Sequence, residues 1–313
     1  MKVLIVGGMG FVGKSIIENW HSKFSLIVVD RILDDMFVKS YKDLVEAFYQ
    51  TDLLQEDTIY EIINDHTPEI VINLVSVVTA ERNLGLFPDL IDKNLKILLR
   101  LYDALKSLIS LSLFIQFGSC EEYGSISPPF KEFDRERPNS PYALIKQLTT
   151  NTSLMLYENY QFPVIVVRPA NIFGPYQESS KFIPYILSKL LKNEELKLTK
   201  CEQKRDFIFI LDLIRYLEEI IIQKEYYIGK IVNIGSGVSY PLKTVVEECK
   251  KITNSNSTID YGAMDYRANE IMDLLPDLSL LHSKIKWRPP SLFQNLEQYI
   301  QSMKNNIQKR EQQ

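Results

Sequence analysis

A glycine-rich turn between a short strand and a helix is the feature that most constrains the fold of this chain. Val3–Val6 is an apolar run typical of a buried strand, and it leads directly into Gly7-Gly8-Met9-Gly10-Phe11-Val12-Gly13. Glycines at 7, 10 and 13 allow a tight turn and a close approach of the backbone to a pyrophosphate. A helix predicted from Val12 to about His21 would point its free N–H groups at those phosphates. The turn therefore predicts a dinucleotide site.

An acidic residue closes the second predicted strand, Leu26–Val29, about 20 residues further on. The carboxylate of Asp30 can accept hydrogen bonds from both hydroxyls of an adenosine ribose, and it would repel a 2′-phosphate. Arg31 follows directly and could offset part of that repulsion. We therefore predict NAD as the cofactor and leave NADP open.

Strands alternate with helices over the first 170 residues, which predicts an α/β fold with a doubly wound parallel sheet, the Rossmann arrangement. In such a sheet, ligands bind outside the carboxyl ends of the strands. The segments expected at those ends are Gly7–Gly13, Asp30, Ser76, Ser119 and Arg168–Asn171.

Two polar residues near these ends have alternative interpretations. Asp52 follows a predicted third strand at Ala47–Gln50, and it either meets the adenine or caps a helix over Gln55–Asn64. Asn94 lies in a long helix predicted over Asp89–Lys106, where we expect it to hydrogen-bond the backbone rather than act in catalysis.

The pattern changes beyond Pro175, where strands and helices no longer alternate regularly. We place a dinucleotide-binding domain at residues 1–170, with return elements from about 205–235, and a smaller, mainly substrate-binding α/β domain at residues 171–313. Because no low-complexity linker separates them, we expect one compact protein with a cleft. Arg168, Lys204, Arg205 and Arg267 are cations that could gather around a diphosphate.

Composition argues against several classes of function. The net charge is -4, which disfavours a general nucleic-acid surface. Three cysteines and three histidines at wide spacing predict neither a disulfide framework nor a metal site. No apolar run approaches 18 residues and the chain begins with a strand rather than a signal peptide, so we expect no membrane span and a cytoplasmic location.

Tyr142 and Lys146 are the candidates for proton transfer. A helix that begins at Pro141 places residues four apart on one face, about 5–6 Å apart at Cβ. An ammonium there favours phenolate, and lowering a phenol pKa from about 10 to near 7 needs roughly 4 kcal/mol. The alternative is an exposed tyrosine beside a solvated lysine. The dinucleotide site upstream, and Ser119 at the end of a preceding strand, favour the catalytic interpretation.

Taken together, these motifs resemble those of the extended short-chain dehydrogenase/reductase family, whose members act on nucleotide-activated sugars. The resemblance spans nearly the whole chain. The segments that carry it are GGMGFVG, Asp30, Asp52, Asn73-Leu74, Asn94, GSCEEYG, SPYALIK, RPANIFGP, KRDFIFILD, NIGSG and Arg267 with Trp287-Arg288-Pro289. It implies a Rossmann domain, a smaller C-terminal substrate domain, and a homodimer in which helices 89–106 and 142–159 pair across a two-fold axis.

The resemblance also implies a role for each candidate residue. Tyr142 would exchange a proton with the sugar oxygen, Lys146 would lower the tyrosine pKa and hold the nicotinamide ribose, and Ser119 would hydrogen-bond the reacting oxygen. The residues implied for substrate are Ser119, Asn171, Phe182 near the base, and Arg205 and Arg267 on the diphosphate. Those implied for the cofactor are Gly7, Gly10, Phe11, Val12, Gly13, Asp30, Arg31, Asp52, Leu53, Leu74, Ser76, Tyr142 and Lys146.

The two residues after Ser119 bear on which reaction occurs. Dehydratases of the family typically carry an Asp-Glu pair there, whereas this chain has Cys120 and Glu121, so the acid of that pair is absent. Glu121 keeps elimination or decarboxylation open; the alternative is a carboxylate that binds backbone or solvent. The run through Glu122 and Tyr123 is more similar to 4-ketoreductases than to 4-epimerases.

We therefore predict an enzyme that reduces a nucleotide-linked 4-keto-6-deoxyhexose at C4, with NAD(P) as cofactor and a nucleotide-diphosphate sugar as substrate. A 4-epimerase is the second hypothesis, and a 4,6-dehydratase or decarboxylase the third. A non-catalytic dinucleotide-binding regulator is a further alternative, which the intact Ser119, Tyr142 and Lys146 disfavour.

Overall fold

The computed structural model of the protein describes residues 1–79 and 81–311, with residues 305–311 described by their backbone alone. Strands and helices alternate over the first half of the chain. In chain order they are β1 Lys2–Val6, α1 Phe11–Trp20, β2 Ser25–Asp30, α2 Asp35–Tyr41, β3 Ala47–Gln50, α3 Thr58–His66, β4 Ile70–Asn73, α4 Phe87–Leu90, α5 Ile97–Leu105, β5 Leu113–Phe117, α6 Pro141–Tyr160 and β6 Val164–Pro169.

Shorter strands and a second group of helices form the rest. They are β7 Asn171–Phe173, α7 Phe182–Leu191, β8 Leu196–Leu198, β9 Lys204–Phe209, α8 Ile210–Ile222, α9 Lys224–Tyr227, β10 Ile231–Ile234, β11 Ser239–Pro241, α10 Leu242–Thr253, β12 Ile259–Tyr261, β13 Asp273–Leu274, α11 Ser279–Lys284 and α12 Leu292–Glu311.

The chain forms two compact units. The first unit consists of Met1–Ile126, Glu132–Pro169 and Ile214–Asn233. The second unit consists of Ser127–Lys131, Ala170–Leu213 and Ile234–Gln313.

A seven-stranded sheet in the order β10-β6-β5-β4-β1-β2-β3 organises the first unit. Neighbours among β1 to β6 pair in parallel, and in this register Val6 lies opposite both Val29 and Asn73. The predicted doubly wound parallel sheet is therefore confirmed. Because parallel strands in register end together, the residues that follow β1, β2, β4, β5 and β6 share one edge.

The strands of this sheet are apolar because both faces are covered. Val3–Val6, Leu26–Val29 and Ile70–Ile72 are all fully buried, as expected for a parallel sheet between layers of helices. Burying each such side chain contributes about 1.5–3 kcal/mol. This core fixes the strand ends, and the site residues are carried on those ends.

The long helix predicted over residues 89–106 is present without a break, but its middle is not α-helical. A π-helical segment, Ile91–Lys96, separates α4 from α5. Such segments occur mostly at functional sites, and apolar periodicity does not reveal them because a single wider turn hardly changes the pattern of buried residues.

The second unit is built around β9. Strand β9 pairs with β7, β11 and β13, and a separate two-stranded sheet joins β8 to β12. The buried carboxylate of Asp206 on β9 accepts hydrogen bonds from the backbone N–H groups of Ser236 and Gly237, each at 2.9 Å. That contact fixes the turn after β10 in the NIGSG motif.

All three cysteines are free and buried, Cys120 in the first unit and Cys201 and Cys249 in the second. Burial raises the pKa of the Cys249 thiol to about 12. Within residues 1–79 and 81–311, no three His, Cys, Asp or Glu side chains are grouped as a metal site would require. Over the same residues, no helix has the length and apolar character needed to span a bilayer.

Candidate active site

A cavity of about 540 Å³ lies at the carboxyl-terminal edge of the sheet in the first unit. The turn after β1 and the segments after β2, β3 and β4 form its walls, and its volume is typical of a ligand site. Eight of the residues predicted to bind the cofactor line it: Gly7, Gly10, Asp30, Arg31, Asp52, Leu53, Leu74 and Ser76. Phe11, Val12 and Gly13 instead belong to the first turn of α1, and Tyr142 and Lys146 to α6.

The glycine turn has the geometry that a pyrophosphate requires. Gly7 has a positive φ of 80°, and a Cβ atom on Gly13 would lie 2.4 Å from the carbonyl oxygen of Gly8. Helix α1 therefore packs directly against the turn. Among the described residues no side chain caps α1 after Gly10. Its first N–H groups are thus suited to an anionic oxygen, and the site fits the pyrophosphate of a dinucleotide.

Asp30 has a structural contact in addition to the predicted one. Its Oδ2 accepts a hydrogen bond from the backbone N–H of Met9 at 2.8 Å, so the carboxylate braces the glycine turn while it lines the cavity. This contact spans 21 residues of sequence. No local sequence pattern predicts this hydrogen bond, because it arises from the parallel register of β1 and β2.

The alternative interpretation of Asp52 as a helix cap is wrong. Helix α3 begins at Thr58, with Asp57 at the cap position, whereas the Oδ1 of Asp52 accepts from the N–H of Leu54 at 3.0 Å. Asp52 lines the cavity instead.

Ser119, Tyr142 and Lys146 meet beside the end of β5. Ser140 caps α6, its Oγ accepting from the N–H of Ala143 at 3.0 Å, and this sets the first turn that carries Tyr142. The hydroxyls of Ser119 and Ser76 face the Tyr142 phenol and act to lower its pKa. Lys146 donates from Nζ to the carbonyl oxygen of Phe117 at 2.8 Å.

Tyr142 and Lys146 are both buried, with only 6% and 3% of their surface exposed, so the solvated-pair alternative is wrong. The Lys146 Nζ lies 6.0 Å from the centroid of the Tyr142 ring. The structure thus places the two side chains together, in an environment with little water.

The electrostatics of this pair differ from the expected ones. Burial raises the pKa of Tyr142, and the carboxylates of Glu121 and Glu122 raise it further. Burial also lowers the pKa of Lys146 to about 8, although the charge of Glu122 opposes that shift. The expected lowering of the Tyr142 pKa is therefore not found in the protein alone, because burial and two nearby carboxylates outweigh the hydroxyls of Ser119 and Ser76.

A hydrogen-bonded chain leads from the π-helical segment to Tyr142. Asn94 donates from Nδ2 to the carbonyl oxygen of Leu90 at 2.9 Å, the predicted backbone contact. Its Oδ1 also accepts from the hydroxyl of Ser76 at 3.0 Å, and Ser76 in turn contacts Tyr142. Ser76 therefore touches the phenol as well as lining the cavity.

Glu122 and Arg168 form a buried ion pair behind Ser119. The carboxylate lies 2.6 Å from the Nη2 of Arg168, and both side chains are fully buried. A second carboxylate, Glu136, lies at 2.6 Å from the same Nη2. Arg168 also covers the ring of Tyr123, with its Cζ 4.6 Å from the centroid. We call Glu122, Glu136 and Arg168 the buried ion cluster. Its geometry contradicts the idea that Arg168 is available to a diphosphate.

Sequence reasoning missed the position of Glu122. The signal was present, because Ser119 and Glu122 have the three-residue spacing of a capping box. The Oε1 of Glu122 accepts from the N–H of Ser119 at 2.7 Å, and the Ser119 side chain caps the short helical turn Cys120–Tyr123 in return.

The two residues that distinguish possible reactions have different surroundings. Cys120 is 1% exposed, and its thiol donates to the carbonyl oxygen of Arg168 at 3.2 Å. Glu121 is half-buried, its N–H donates to the Ser119 Oγ at 3.1 Å, and its charge acts on Tyr142. Glu121 is thus near the proton-transfer group, whereas Cys120 is engaged with backbone.

The remaining candidates belong to the second unit, and most of them gather around β9. Asn171 pairs in register with Phe207, and the ring of Phe182 stacks on that of Phe207 at 6.0 Å. Arg205 lies on the same strand, where its guanidinium pairs with Glu270 and donates to the carbonyl oxygen of Ile271 at 2.6 Å. Lys204 and Arg267 are exposed.

A parallel Rossmann sheet, a glycine turn over a cavity and a buried Ser–Tyr–Lys set define a dinucleotide-dependent enzyme of the short-chain dehydrogenase/reductase type. The sequence profile of the NAD dependent epimerase/dehydratase family matches residues 3–235, and the chain belongs to that family. The resemblance noted from the motifs is therefore confirmed.

Relatives with known activities carry out different reactions. The chain is 32% identical over 193 residues to CDP-abequose synthase of Salmonella muenchen, a match that spans 61% of each protein. It is 23% identical to dTDP-glucose 4,6-dehydratase of Haemophilus influenzae over 96% of this chain and 97% of the relative. A crystal structure of dTDP-glucose 4,6-dehydratase from Bacillus anthracis in complex with NAD superposes with a TM-score of 0.87 at 22% identity, covering 98% of each chain.

Proposed function

We propose that this protein is an NADH-dependent reductase that converts the C4 ketone of a nucleotide-linked 4-keto-6-deoxyhexose to an alcohol. Membership of the NAD dependent epimerase/dehydratase family and the similarity to CDP-abequose synthase support a reaction of this kind. The observation that carries the proposal is the burial of Tyr142 and Lys146 together, beside a Cys120 thiol that donates to backbone and so supplies no acid for dehydration.

The cavity is the proposed NAD site. Gly7 and Gly10 would lie against the pyrophosphate, Asp30 would accept from the adenosine ribose hydroxyls, and Asp52 would lie near the adenine. The bound dinucleotide of a Bacillus anthracis relative supports the choice of NAD. When bound in its reduced form, the cofactor supplies the hydride that reduces the ketone carbon.

A protonated tyrosine suits the reductive direction. Tyr142 donates its proton to the carbonyl oxygen as the ketone becomes an alcohol, and water then reprotonates the phenolate. Ser119, which already contacts the phenol, hydrogen-bonds the same oxygen. The ammonium of Lys146 stabilises the phenolate that forms. An oxidation would have to begin with a phenolate base, which burial and two carboxylates disfavour here.

The surroundings of Cys120 argue against dehydration. Loss of water from the sugar needs an acid that protonates the departing hydroxyl. The Cys120 thiol is buried and donates to a backbone carbonyl, so it does not supply that proton. Elimination in the family uses a pair of acidic residues after the serine, and this chain provides only one carboxylate there, Glu121.

We assign the substrate diphosphate to the second unit. Arg205 and Arg267 are the proposed cations, with Asn171 beside them and Phe182 near the base. Arg205 is already paired with Glu270, so a diphosphate would compete with a carboxylate for the same guanidinium. The nucleotide is the part of the substrate that this region selects.

The decisive experiment is a cofactor balance with purified protein. We would incubate it with NADH and a panel of CDP-, dTDP-, GDP- and UDP-linked 4-keto-6-deoxyhexoses, and follow NADH absorbance together with the sugar product by mass spectrometry. The expected result is one NADH consumed per alcohol formed. Turnover of a UDP-hexose to its C4 epimer with catalytic NAD and no net oxidation would overturn the proposal.

A further inference from the structure

Glu122 contacts three structural elements that must be held together for the proposed reaction. Its Oε1 accepts from the N–H of Ser119 at the end of β5, and its Oε2 accepts from the hydroxyl of Thr150 on α6 at 2.8 Å. The same Oε2 accepts from the Nε of Arg168 on β6 at 2.8 Å. One fully buried carboxylate thus links the serine to the helix that carries Tyr142 and Lys146.

The structure leaves little free space around the Glu122 carboxylate. A Cβ atom on Gly118 would lie 2.5 Å from the Oε1 of Glu122, and 3.3 Å from the Thr150 hydroxyl. The backbone of Gly118, directly before Ser119, therefore lies against this carboxylate. A shift of Glu122 therefore moves the Ser119 hydroxyl relative to Tyr142. The relative position of Ser119 and Tyr142 matters because both belong to the proposed reacting set.

The charges around Glu122 are nearly balanced. Glu122 and Glu136 are the buried anions, and Arg168 is the cation between them. That cluster alone has a net charge of minus one. Lys146 lies one turn of α6 before Thr150, which donates to Glu122, and the charge of Glu122 acts on the Lys146 ammonium. Buried charges need such compensation because each is costly when it is unpaired.

The other titratable groups that face this carboxylate come from the same two elements. Tyr142 on α6 interacts with Glu122 and with the half-buried Glu121. On the short turn that carries Glu122 itself, Cys120 donates to the carbonyl oxygen of Arg168, and the ring of Tyr123 lies against the Arg168 guanidinium. The charge of Glu122 raises the pKa of Lys146, and it also acts on Tyr142 and Arg168.

We propose that Glu122 is a positioning residue of the active site, whose carboxylate fixes Ser119 against α6 and supplies the negative charge that offsets the Lys146 ammonium. It does so without touching the substrate. This role rests on the proposed function only in taking Ser119, Tyr142 and Lys146 as the reacting set.

The test is Glu122→Gln in the full-length enzyme, assayed with NADH and the ketosugar that the wild type turns over. The amide retains an acceptor for Ser119 but presents a donor toward Arg168 and Thr150, and it removes the charge. We expect kcat to fall on the order of 10- to 100-fold, with the KM for NADH changed less than about twofold. Because the pKa of Lys146 should fall without the anion, the basic limb of the pH profile should move to lower pH.

Glu136→Gln is the matched control, because it also removes one carboxylate from Arg168. Glu136 makes no described contact with Ser119; instead it accepts from Gln147 at 3.3 Å. We expect Glu136→Gln to lower the melting temperature as Glu122→Gln does, yet to leave the basic limb in place. If both variants moved the limb equally, the effect would belong to Arg168 and the proposal would be wrong.

Thr150→Val removes the hydrogen bond to Glu122 but leaves the charge of Glu122 in place. This variant also tests the proposal if Glu122→Gln does not fold. Valine has the same shape as threonine but cannot donate to Glu122. We expect a lower kcat with an unchanged basic limb, whereas an unchanged kcat would refute the tether to α6.

Failure of the proposed function would look different from failure of this inference. A wild type that epimerises sugars refutes the reductase, and the same variants then test Glu122 on that reaction. An active wild type whose Glu122→Gln variant keeps its kcat and its pH profile refutes the role of Glu122.

Discussion

Two buried tyrosines in the first unit differ in what their hydroxyls contact. The Tyr142 phenol faces the hydroxyls of Ser119 and Ser76, whereas Tyr123 donates to the Oδ1 of Asn233 at 2.8 Å. We expect Tyr142→Phe to lower kcat by about 10²- to 10⁴-fold, the usual loss when a general acid is removed. Fluorescence titration with NADH should show unchanged cofactor binding, because the aromatic ring remains.

Tyr123→Phe is the control for that experiment. It deletes a hydroxyl from a similarly buried ring and should cost about 1 kcal/mol of unfolding free energy with little change in kcat. Retained turnover in Tyr142→Phe would exclude the phenol as the proton donor.

The pH dependence of the reaction should follow Lys146. Its ammonium has a pKa lowered to about 8, while the raised pKa of Tyr142 keeps the phenol protonated throughout the same range. The active form therefore exists at low pH and is lost as pH rises through about 8. Steady-state kcat/KM for NADH, which reports ionisations of the free enzyme, should show this basic limb between pH 6.5 and 9.5, roughly one and a half units to either side of that value. A flat profile would contradict the assignment.

The identities of the reacting side chains could be read from the sequence, whereas their electrostatics could not. The i, i+4 spacing of Tyr142 and Lys146 is local, and so is the placement of Ser119 after a strand. The pKa values depend instead on burial and on Glu122, whose partners lie 28 and 46 residues away at Thr150 and Arg168. The charged groups that act on these pKa values lie on different elements, and a local sequence pattern does not show which elements pack together.

Two glycines of the turn after β1 serve different purposes. A methyl group on Gly13 would lie 2.4 Å from the carbonyl oxygen of Gly8, whereas one on Gly10 would meet its nearest atom, the Gly7 oxygen, at 3.5 Å. We expect Gly13→Ala to destabilise the fold by about 1–3 kcal/mol, as overpacking usually does. Gly10→Ala should leave stability nearly unchanged and weaken NADH binding, since its methyl group occupies the approach of the pyrophosphate.

Chemical denaturation and NADH titration of both variants distinguish these effects. If Gly10→Ala bound NADH as tightly as the wild type, the turn would not be the pyrophosphate site.

Element boundaries were predictable where a strong local signal exists. The strand Ala47–Gln50 has the predicted limits. The π-helical segment was missed because its buried residues fit the pattern of an ordinary α-helix. Helix α3 starts later than expected because residues 51–57 form turns before the first apolar residue of the helix, Ile59.

Exposed apolar side chains on α5 and α6 support the expected homodimer, which stays a prediction. Leu99 on α5 is 43% exposed, and Leu148 and Met155 on α6 are each 40% exposed. The seven-residue spacing of Leu148 and Met155 places both on one helical face. We expect the wild type to sediment as a dimer and Leu148→Glu to shift it toward monomer.

Ile109→Glu is the matched control, because Ile109 is fully exposed and lies beyond the end of α5. It should leave the sedimentation coefficient unchanged. A wild type that is monomeric at micromolar concentration would exclude this arrangement.

The second unit could be predicted only in part. The motif around Arg205 identified a cation on a strand, but its pairing with Glu270 joins residues 65 apart through the pairing of β9 with β13. Residues 262–272 form neither helix nor strand, so their sequence carries no period from which such a contact follows. We propose that the selection of one nucleotide depends on contacts of that kind.

The burial of all three thiols makes the native protein its own reporter of local opening. Cys120 is enclosed in the first unit, and Cys201 and Cys249 in the second, so alkylation by iodoacetamide requires that the surrounding structure open. Pulse labelling followed by peptide mass spectrometry should therefore record one opening rate at Cys120 and another at Cys201 and Cys249. A nucleotide sugar that orders the second unit would slow labelling there, which makes the thiols a screen for the substrate in the absence of turnover.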